Sequence, residues 1–326
     1  MSIIALETYL APLKGIFEKK GVSEVSINRP QEVWVEVYGE MERHEIPEFN
    51  LEHLKALARL VAQSTEQRIS EEAPLLSATL PDGYRVQIVF PPACETGTVA
   101  FSIRKQTILN MDLDSYEALG AFQSTVVRKT ENEDDKKLRA LLDSGNVKEF
   151  IRTAVVLKKN IIVSGGTSTG KTTFLNAVLK AIPVTERVIT CEDAREIDLT
   201  HLPNHVHLLS SKGGQGRAQV TTQDLIEACL RLRPDRIMVG ELRGKEAFSY
   251  LRAVNTGHPG SISTLHADTP LLALEQLILM IMQAGLGITR EQIKDYVETV
   301  INVIIQLKRG DKGRRFVSEV YFKEGH

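Results

Sequence analysis

The residues Gly165, Gly166, Thr167, Ser168, Thr169, Gly170, Lys171, Thr172 and Thr173 have the types and spacing of a phosphate cradle. The stretch 165–172 fits G-x-x-x-x-G-K-[ST], the P-loop or Walker A pattern. Its glycines let successive backbone N–H groups point at one phosphate. A helix after the loop adds the positive end of its dipole. Lys171 supplies a charge for the β- and γ-phosphates, and the Thr172 hydroxyl suits Mg²⁺. Four fixed positions of this kind arise by accident in roughly one chain in a hundred of this length. The surroundings therefore decide. A β-branched run, 161–163, enters the loop, and a helical pattern over 174–182 leaves it.

Hydrolysis of ATP needs acids to hold Mg²⁺ and orient water, and cations to meet charge developing at the γ-phosphate. Two acidic groups stand at the ends of apolar runs. One is Glu192-Asp193-Ala194-Arg195-Glu196; the other is Glu241, which closes 236–240. A carboxylate ending a buried strand is costly unless it has a partner; the competing reading is a solvated loop acid. Thr172, Glu192 and Glu241 are the candidate Mg²⁺ residues, and the acids at both strand ends are the candidates for orienting water. His266, in Ser263-Thr264-Leu265-His266-Ala267-Asp268, is a third element, although a lone strand-end histidine is more often structural. Arg85 and Arg104 flank alternating strands in the first part of the chain, where they are either solvated cations or a second source of positive charge.

These groups need a scaffold. Over the second half, strands at 187–193, 206–209, 236–241 and 261–265 alternate with helices at 225–232, 246–254 and 271–284, and a helix-to-strand end follows at 291–307. Thr221, Thr222 and Asp224 are suited to cap the first of these helices. Short links in a βαβα order imply an α/β domain with a mostly parallel sheet covered on both sides. The cradle then sits at the carboxyl end of a strand. The first part has an amphipathic helix ending near Gly21 and alternating strands around Val25, Val33, Val86 and Phe101. A second helix has Leu51, Leu54, Ala58 and Val61 on one stripe. It is a small α+β domain. Between the halves, nine of the twelve residues 128–139 are charged, a composition expected of a linker or solvated helix start. The division is thus 1–127, a linker at 128–145, and 146–326. The basic stretch 212–217 reads as a solvated turn.

Composition bounds the partners. Of 326 residues, 40 are Lys or Arg and 42 are Asp or Glu, for a net charge of −2. That balance gives no electrostatic reason for the bulk surface to bind nucleic acid. Cys94, Cys191 and Cys229 form no C-x-x-C pair, which fits a reducing compartment. The most apolar stretch, 271–286, contains Glu275, Gln276 and Gln283 and is too short and polar for a bilayer span. A cytoplasmic protein is expected.

In order, the loop at 165–172, the segment 189–196, the segment 233–244 and the run from Gly257-His258 to His266-Ala267 resemble the Walker A, Asp, Walker B and His boxes of the secretion traffic ATPases. That superfamily powers type II secretion, type IV pili and type IV secretion. The short chain, the missing tetracysteine element and the Arg85/Arg104 pattern look most like the type IV secretion branch. The resemblance implies a RecA-like P-loop NTPase domain in a homo-hexameric ring, an ATP- and Mg²⁺-dependent motor coupling hydrolysis to domain movement for pilus assembly or for protein or DNA translocation. It implies that Lys171 and Thr172 hold phosphate and Mg²⁺, that Glu196 activates water, that Glu241 supports Mg²⁺ or the water, and that His266 senses the γ-phosphate. Arg85 and Arg104 match family arginines that reach the nucleotide from the N-terminal domain. The implied partners are other secretion-system ATPases and inner-membrane components, at the cytoplasmic face of a bacterial inner membrane, without sequence-specific nucleic-acid binding. A type IV pilus or type II secretion ATPase is the alternative; a RecA-like DNA helicase and a nucleotide-gated scaffold fit less well.

Overall fold

A computed structural model describes residues 2–106, 112–125, 132–211 and 218–323. The stretch 212–217 and the first part of the charged run, 128–131, lie outside the described residues. Among the described residues two sheets form, one in each half of the chain.

In the first half, helix α1 (Ser2–Phe17) precedes β1 (Val22–Arg29), β2 (Glu32–Val37) and β3 (Glu40–Glu45). Helix α2 (Leu51–Ser64) and strands β4 (Leu75–Thr79), β5 (Arg85–Val89) and β6 (Ala100–Arg104) follow. Asn50 caps α2 by accepting from the His53 N–H. The strands pair antiparallel in the order β3-β2-β1-β6-β5-β4. Alternation sends Val25, Ile27, Val33, Val35, Val86, Ile88, Phe101 and Ile103 to one face, where they pack with Leu6, Leu13, Leu54 and Leu57. The opposite face carries Glu24, Ser26, Asn28, Gln87 and Ser102, and these polar residues are buried as well. Strand β3 was not expected from the sequence. Its residues, Glu-Met-Glu-Arg-His-Glu, are mostly exposed on a sheet edge and show no apolar period.

A short helix α3 (Leu113–Ala118) leads toward α4 (Glu133–Asp143) and α5 (Val147–Val156). The charged run differs here from its sequence reading. Glu133, Asp134 and Asp135 occupy the first turn of α4, where carboxylates face the positive end of the helix dipole. Leu138 is buried in a core beneath the second sheet, and Asp135 pairs with Lys159. Residues 133–143 therefore pack with the second half.

That half continues with β7 (Ile161–Gly165), α6 (Lys171–Leu179), β8 (Val188–Glu192), β9 (His205–Leu209), α7 (Thr222–Cys229) and β10 (Arg236–Val239). It closes with α8 (Glu246–Asn255), β11 (Ile262–Leu265), α9 (Pro270–Met282), α10 (Arg290–Val300), β12 (Val303–Arg309) and β13 (Arg315–Phe322). Thr221 and Asp224 form a reciprocal capping box on α7. The seven strands lie in the order β13-β12-β7-β11-β10-β8-β9. All pairs are parallel except the terminal β12–β13 hairpin, which the sequence reading did not foresee. One face packs on α7–α10 and the other on α4–α6, each with its own apolar cluster. The architecture is an α/β domain with a mostly parallel sheet behind a small α+β domain. Among the described residues no helix is long and apolar enough to cross a membrane.

The halves share a seam. Ala93 and Cys94 lie along β9, with a Leu209 N–H to Ala93 carbonyl bond of 2.9 Å and a bridge pairing Cys94 with Leu208. Arg187, fully buried, donates to Asn28 Oδ1 at 2.6 Å, to Asn204 Oδ1 and to the Leu232 carbonyl. Glu36–Arg233 and Glu95–Arg195 ion pairs flank it.

Candidate functional site

The cradle forms because β7 is a buried apolar strand and α6 begins at Lys171, so the chain must reverse over 166–170. Gly170 stands at the cap of α6 with φ +85°, the left-handed region that favours glycine. Gly165 has no room for a Cβ, which would lie 3.0 Å from the Leu307 carbonyl and 2.5 Å from Thr169 Oγ1. Thr169 Oγ1 donates to the Gly166 carbonyl at 2.9 Å and holds the loop closed. The loop opens onto a cleft of about 730 Å³ at the carboxyl ends of the parallel strands. Ser168, Thr169, Gly170, Lys171, Thr172 and Thr173 line it, together with Glu192, Glu196, Glu241 and His266.

Lys171 is folded into the cradle. Its Nζ donates to the carbonyls of Gly165 (2.9 Å) and Gly166 (3.3 Å) and lies 3.2 Å from His266 Nδ1. Burial pulls its pKa below the usual lysine value; nearby Glu241 opposes that pull. His266 Nε2 is 2.6 Å from Glu241 Oε1. The His266 ring thus stands between Lys171 and Glu241, with its Nε2 also 3.3 Å from Lys171 Nζ. The other Glu241 oxygen is taken by Arg243, which also pairs with Asp193. A chain of alternating charge thus runs from the loop across the ends of β11, β10 and β8.

Thr172 and Glu196 meet on the opposite wall, with Thr172 Oγ1 donating to Glu196 Oε2 at 3.2 Å. The Glu196 backbone is fixed on both sides. Asn176 Nδ2 donates to its carbonyl at 3.1 Å, and its N–H donates to Glu192 Oε1 at 2.9 Å.

The geometry bears on two of the sequence expectations. Glu192, expected from the sequence as an Mg²⁺ residue, lines the cleft with both carboxylate oxygens already engaged. Oε1 accepts the N–H groups of Glu196 and Ile197 (2.9 and 2.7 Å), and Oε2 accepts from Thr190 Oγ1 (2.7 Å) with His207 Nδ1 at 3.2 Å. Burial pushes this carboxyl up, but the bonds from His207, Thr190 and the two backbone groups outweigh it and hold the pKa below the usual carboxylate range. Its work is to shape the loop carrying Glu196. Arg85 and Arg104 do not reach the cradle within one chain. They are directly opposed on β5 and β6 and line a separate cavity of about 510 Å³ with Gln67, Leu230 and Arg231. Arg104 is tied there to Glu24 at 3.0 Å.

Among the described residues no group of three or more His, Cys, Asp or Glu could hold a metal ion. The donors present fit Mg²⁺ held in another way. This ion keeps several waters and takes few protein ligands, the rest coming from substrate phosphates. Thr172 would be the direct ligand, and Glu196 and Glu241 line the same cleft.

Two further residues at the cleft, Arg243 and Arg315, carry no role in the sequence reading. Arg243 lies two positions after Glu241, within the Walker B resemblance. Arg315 belongs to a basic stretch with no motif, and only the β12–β13 hairpin brings it to the cleft.

The comparisons agree with this fold. Residues 7–319 match the family model described as "Type II/IV secretion system protein". The type IV secretion system protein VirB11 of Brucella suis is 38% identical over 321 residues, 96% of this chain and 89% of the relative. PtlH of Bordetella pertussis is 38% identical over 337 residues, 98% of this chain and 96% of the relative. The crystal structure of the Brucella suis VirB11 ATPase in complex with sulphate superposes with a TM-score of 0.92 at 36% identity, over 98% of each chain. A match across nearly the whole chain, carried through both domains of a solved relative, means that this chain belongs to the type II/IV secretion system protein family, among the homologues of the VirB11 ATPases.

Proposed function

We propose that the chain is an Mg²⁺-dependent ATP hydrolase that works as a homo-hexameric motor of a type IV secretion system. The observation that carries this reading is the convergence of Lys171, Thr172, Glu196, Glu241 and His266 on one P-loop cleft. The sulphate complex of the Brucella suis relative adds that a homologue of the same fold takes a tetrahedral oxyanion.

The residues divide the chemistry by what already occupies them. Both Glu241 oxygens are engaged, by His266 and by Arg243. Glu196 has only the Thr172 hydroxyl on its carboxylate among the described side chains. Glu196 is therefore the better placed to accept a proton from the attacking water. In that step water oxygen bonds the γ-phosphorus, the bond to the β-bridging oxygen breaks, and ADP and phosphate leave. Glu241 orients His266, whose ring sits against Lys171 and so reports what the lysine contacts. Thr172 would hold Mg²⁺, whose charge would offset that of the phosphates when the ion is bound.

The hexamer, the movement of domains and the association with other secretion ATPases and inner-membrane components belong to the same reading. Its test is paired. Purified protein should release phosphate from ATP with Mg²⁺, and Lys171→Ala should lower that rate by at least about a hundredfold, the scale for losing one fixed charge at a transition state. Light scattering with a non-hydrolysable ATP analogue should give a sixfold mass. Equal turnover in a folded Lys171→Ala variant would overturn the catalytic reading, and monomer alone would overturn the ring.

A further inference from the structure

We propose that Arg315 holds the α-phosphate of the bound nucleotide, the end away from the chemistry. This rests on the nucleotide reading above and adds a subsite to it.

The strand order places Arg315. The cradle follows β7, with β11, β10 and β8 on one side of it and β12 and β13 on the other. His266, Glu241 and Glu192 come from strand ends on the first side. Strand β12 runs parallel to β7 and so delivers its hairpin to the same rim of the sheet. Arg315 begins β13 on the return, opposite Arg309.

The contact is close. A Cβ built on Gly170 would stand 2.8 Å from Arg315 Cδ, 3.4 Å from Nε and 3.5 Å from Nη1. The guanidinium therefore lies against the residue that caps α6, and Arg315 lines the cleft with Lys171 and Thr172.

Electrostatics makes that position informative. The start of α6 is the positive end of a helix dipole, and Lys171 adds a full charge beside it. A second cation at such a point is unfavourable unless an anion joins them. The other arginine of the cleft, Arg243, is neutralised by Glu241 and Asp193. Among the described residues Arg315 has no carboxylate partner; the tip of its hairpin, 308–315, carries Lys308, Arg309, Lys312 and Arg314 besides Arg315, against one acid, Asp311. A polyanion in the cradle supplies the missing partner, and a guanidinium offers planar donors suited to phosphate oxygens.

The direction of the nucleotide selects which phosphate. The γ-phosphate must face Glu196, Glu241 and His266, where water attacks. The triphosphate then leaves the loop on the β12–β13 side, with its α-phosphate toward Arg315.

Titration calorimetry with ADP and with pyrophosphate tests this. Pyrophosphate fills the β and γ positions only. Arg315→Ala, at an exposed site, should weaken ADP by about tenfold, the scale of one charge-assisted hydrogen bond. It should leave pyrophosphate affinity unchanged, and Arg315→Lys should recover part of the ADP loss. Unchanged ADP affinity would overturn the proposal, as would equal losses for the two ligands, which would mark Arg315 as a general source of positive potential. The nucleotide reading is checked separately: wild type must bind ADP, and Lys171→Ala must weaken both ligands.

Discussion

The P-loop cleft and the Arg85/Arg104 cavity are both lined by basic side chains, and they are assembled in opposite ways. The P-loop cleft collects residues from the ends of six different strands, far apart in sequence, at the one rim where a parallel sheet turns all its loops. The Arg85/Arg104 cavity is made largely by neighbouring antiparallel strands, with the two arginines paired across them. Like charges directly opposed on a sheet repel, and Glu24 relieves this for Arg104. In the first cleft Lys171 is held by two backbone carbonyls and Arg243 by two acids, Glu241 and Asp193. In the second the cations answer mainly to local partners. Convergent loops can aim several groups at one reacting atom, whereas adjacent strands aim them at each other.

The sharpest way to probe this difference is inside the P-loop cleft. Glu196→Gln should keep ATP binding and slow hydrolysis by roughly 10², the scale of a positioned base. Single-turnover phosphate release separates that step from binding. Glu241→Gln should slow turnover less and shift its dependence on Mg²⁺ more. The reverse ranking would assign the proton acceptor to the end of β10.

A smaller effect is expected one layer deeper. Glu192→Gln should destabilise the fold by about 2 kcal/mol at pH 7, because two backbone N–H groups and a buried histidine lose a charged acceptor. The pH dependence follows from the lowered pKa of Glu192. A carboxyl depressed in the folded state stabilises above its unfolded value, near about 4.3, and that stabilisation is lost as pH falls through the folded value. The gap between wild type and variant, read from denaturant midpoints, should close below about pH 4. A gap constant from pH 7 to 3 would mean that the Glu192 charge contributes nothing.

The smallest effect belongs to the second cavity. In dilute, unassembled protein, Arg85→Ala and Arg104→Ala should change ADP affinity by less than about twofold, as for surface substitutions remote from a site. A tenfold loss under those conditions would show that the two clefts act as one.

These outcomes track what was legible in the sequence. The cradle was legible because its chemistry demands glycines and a lysine at fixed local spacing. Glu196, Glu241 and His266 were legible because acids or a histidine closing apolar runs are conspicuous. Glu192 was assigned to the ion because sequence cannot show which carboxylate is already saturated by backbone N–H groups. Arg315 was invisible because a pairing between β12 and β13, not a motif, brings it to the loop. The burial of the polar face of the first sheet is hidden from the sequence for a similar reason. Glu24, Ser26 and Asn28 alternate with valine and isoleucine as solvated positions do, yet they are buried beside Arg187 at the seam. The charged start of α4 hid Leu138, one apolar residue amid nine charges.

The strip at 93–94 has a consequence for how the chain folds. Strand β9 is an outer strand of the second sheet, and an uncovered outer strand presents unpaired N–H and C=O groups to other chains. Ala93 and Cys94 occupy part of that edge. Synthesis runs from the N-terminus and domains generally fold in that order, so the strip emerges before the edge it shields. The vulnerable edge is born next to its own cover, and the interval in which nascent copies could join through β9 is shortened by the order in which the halves are made.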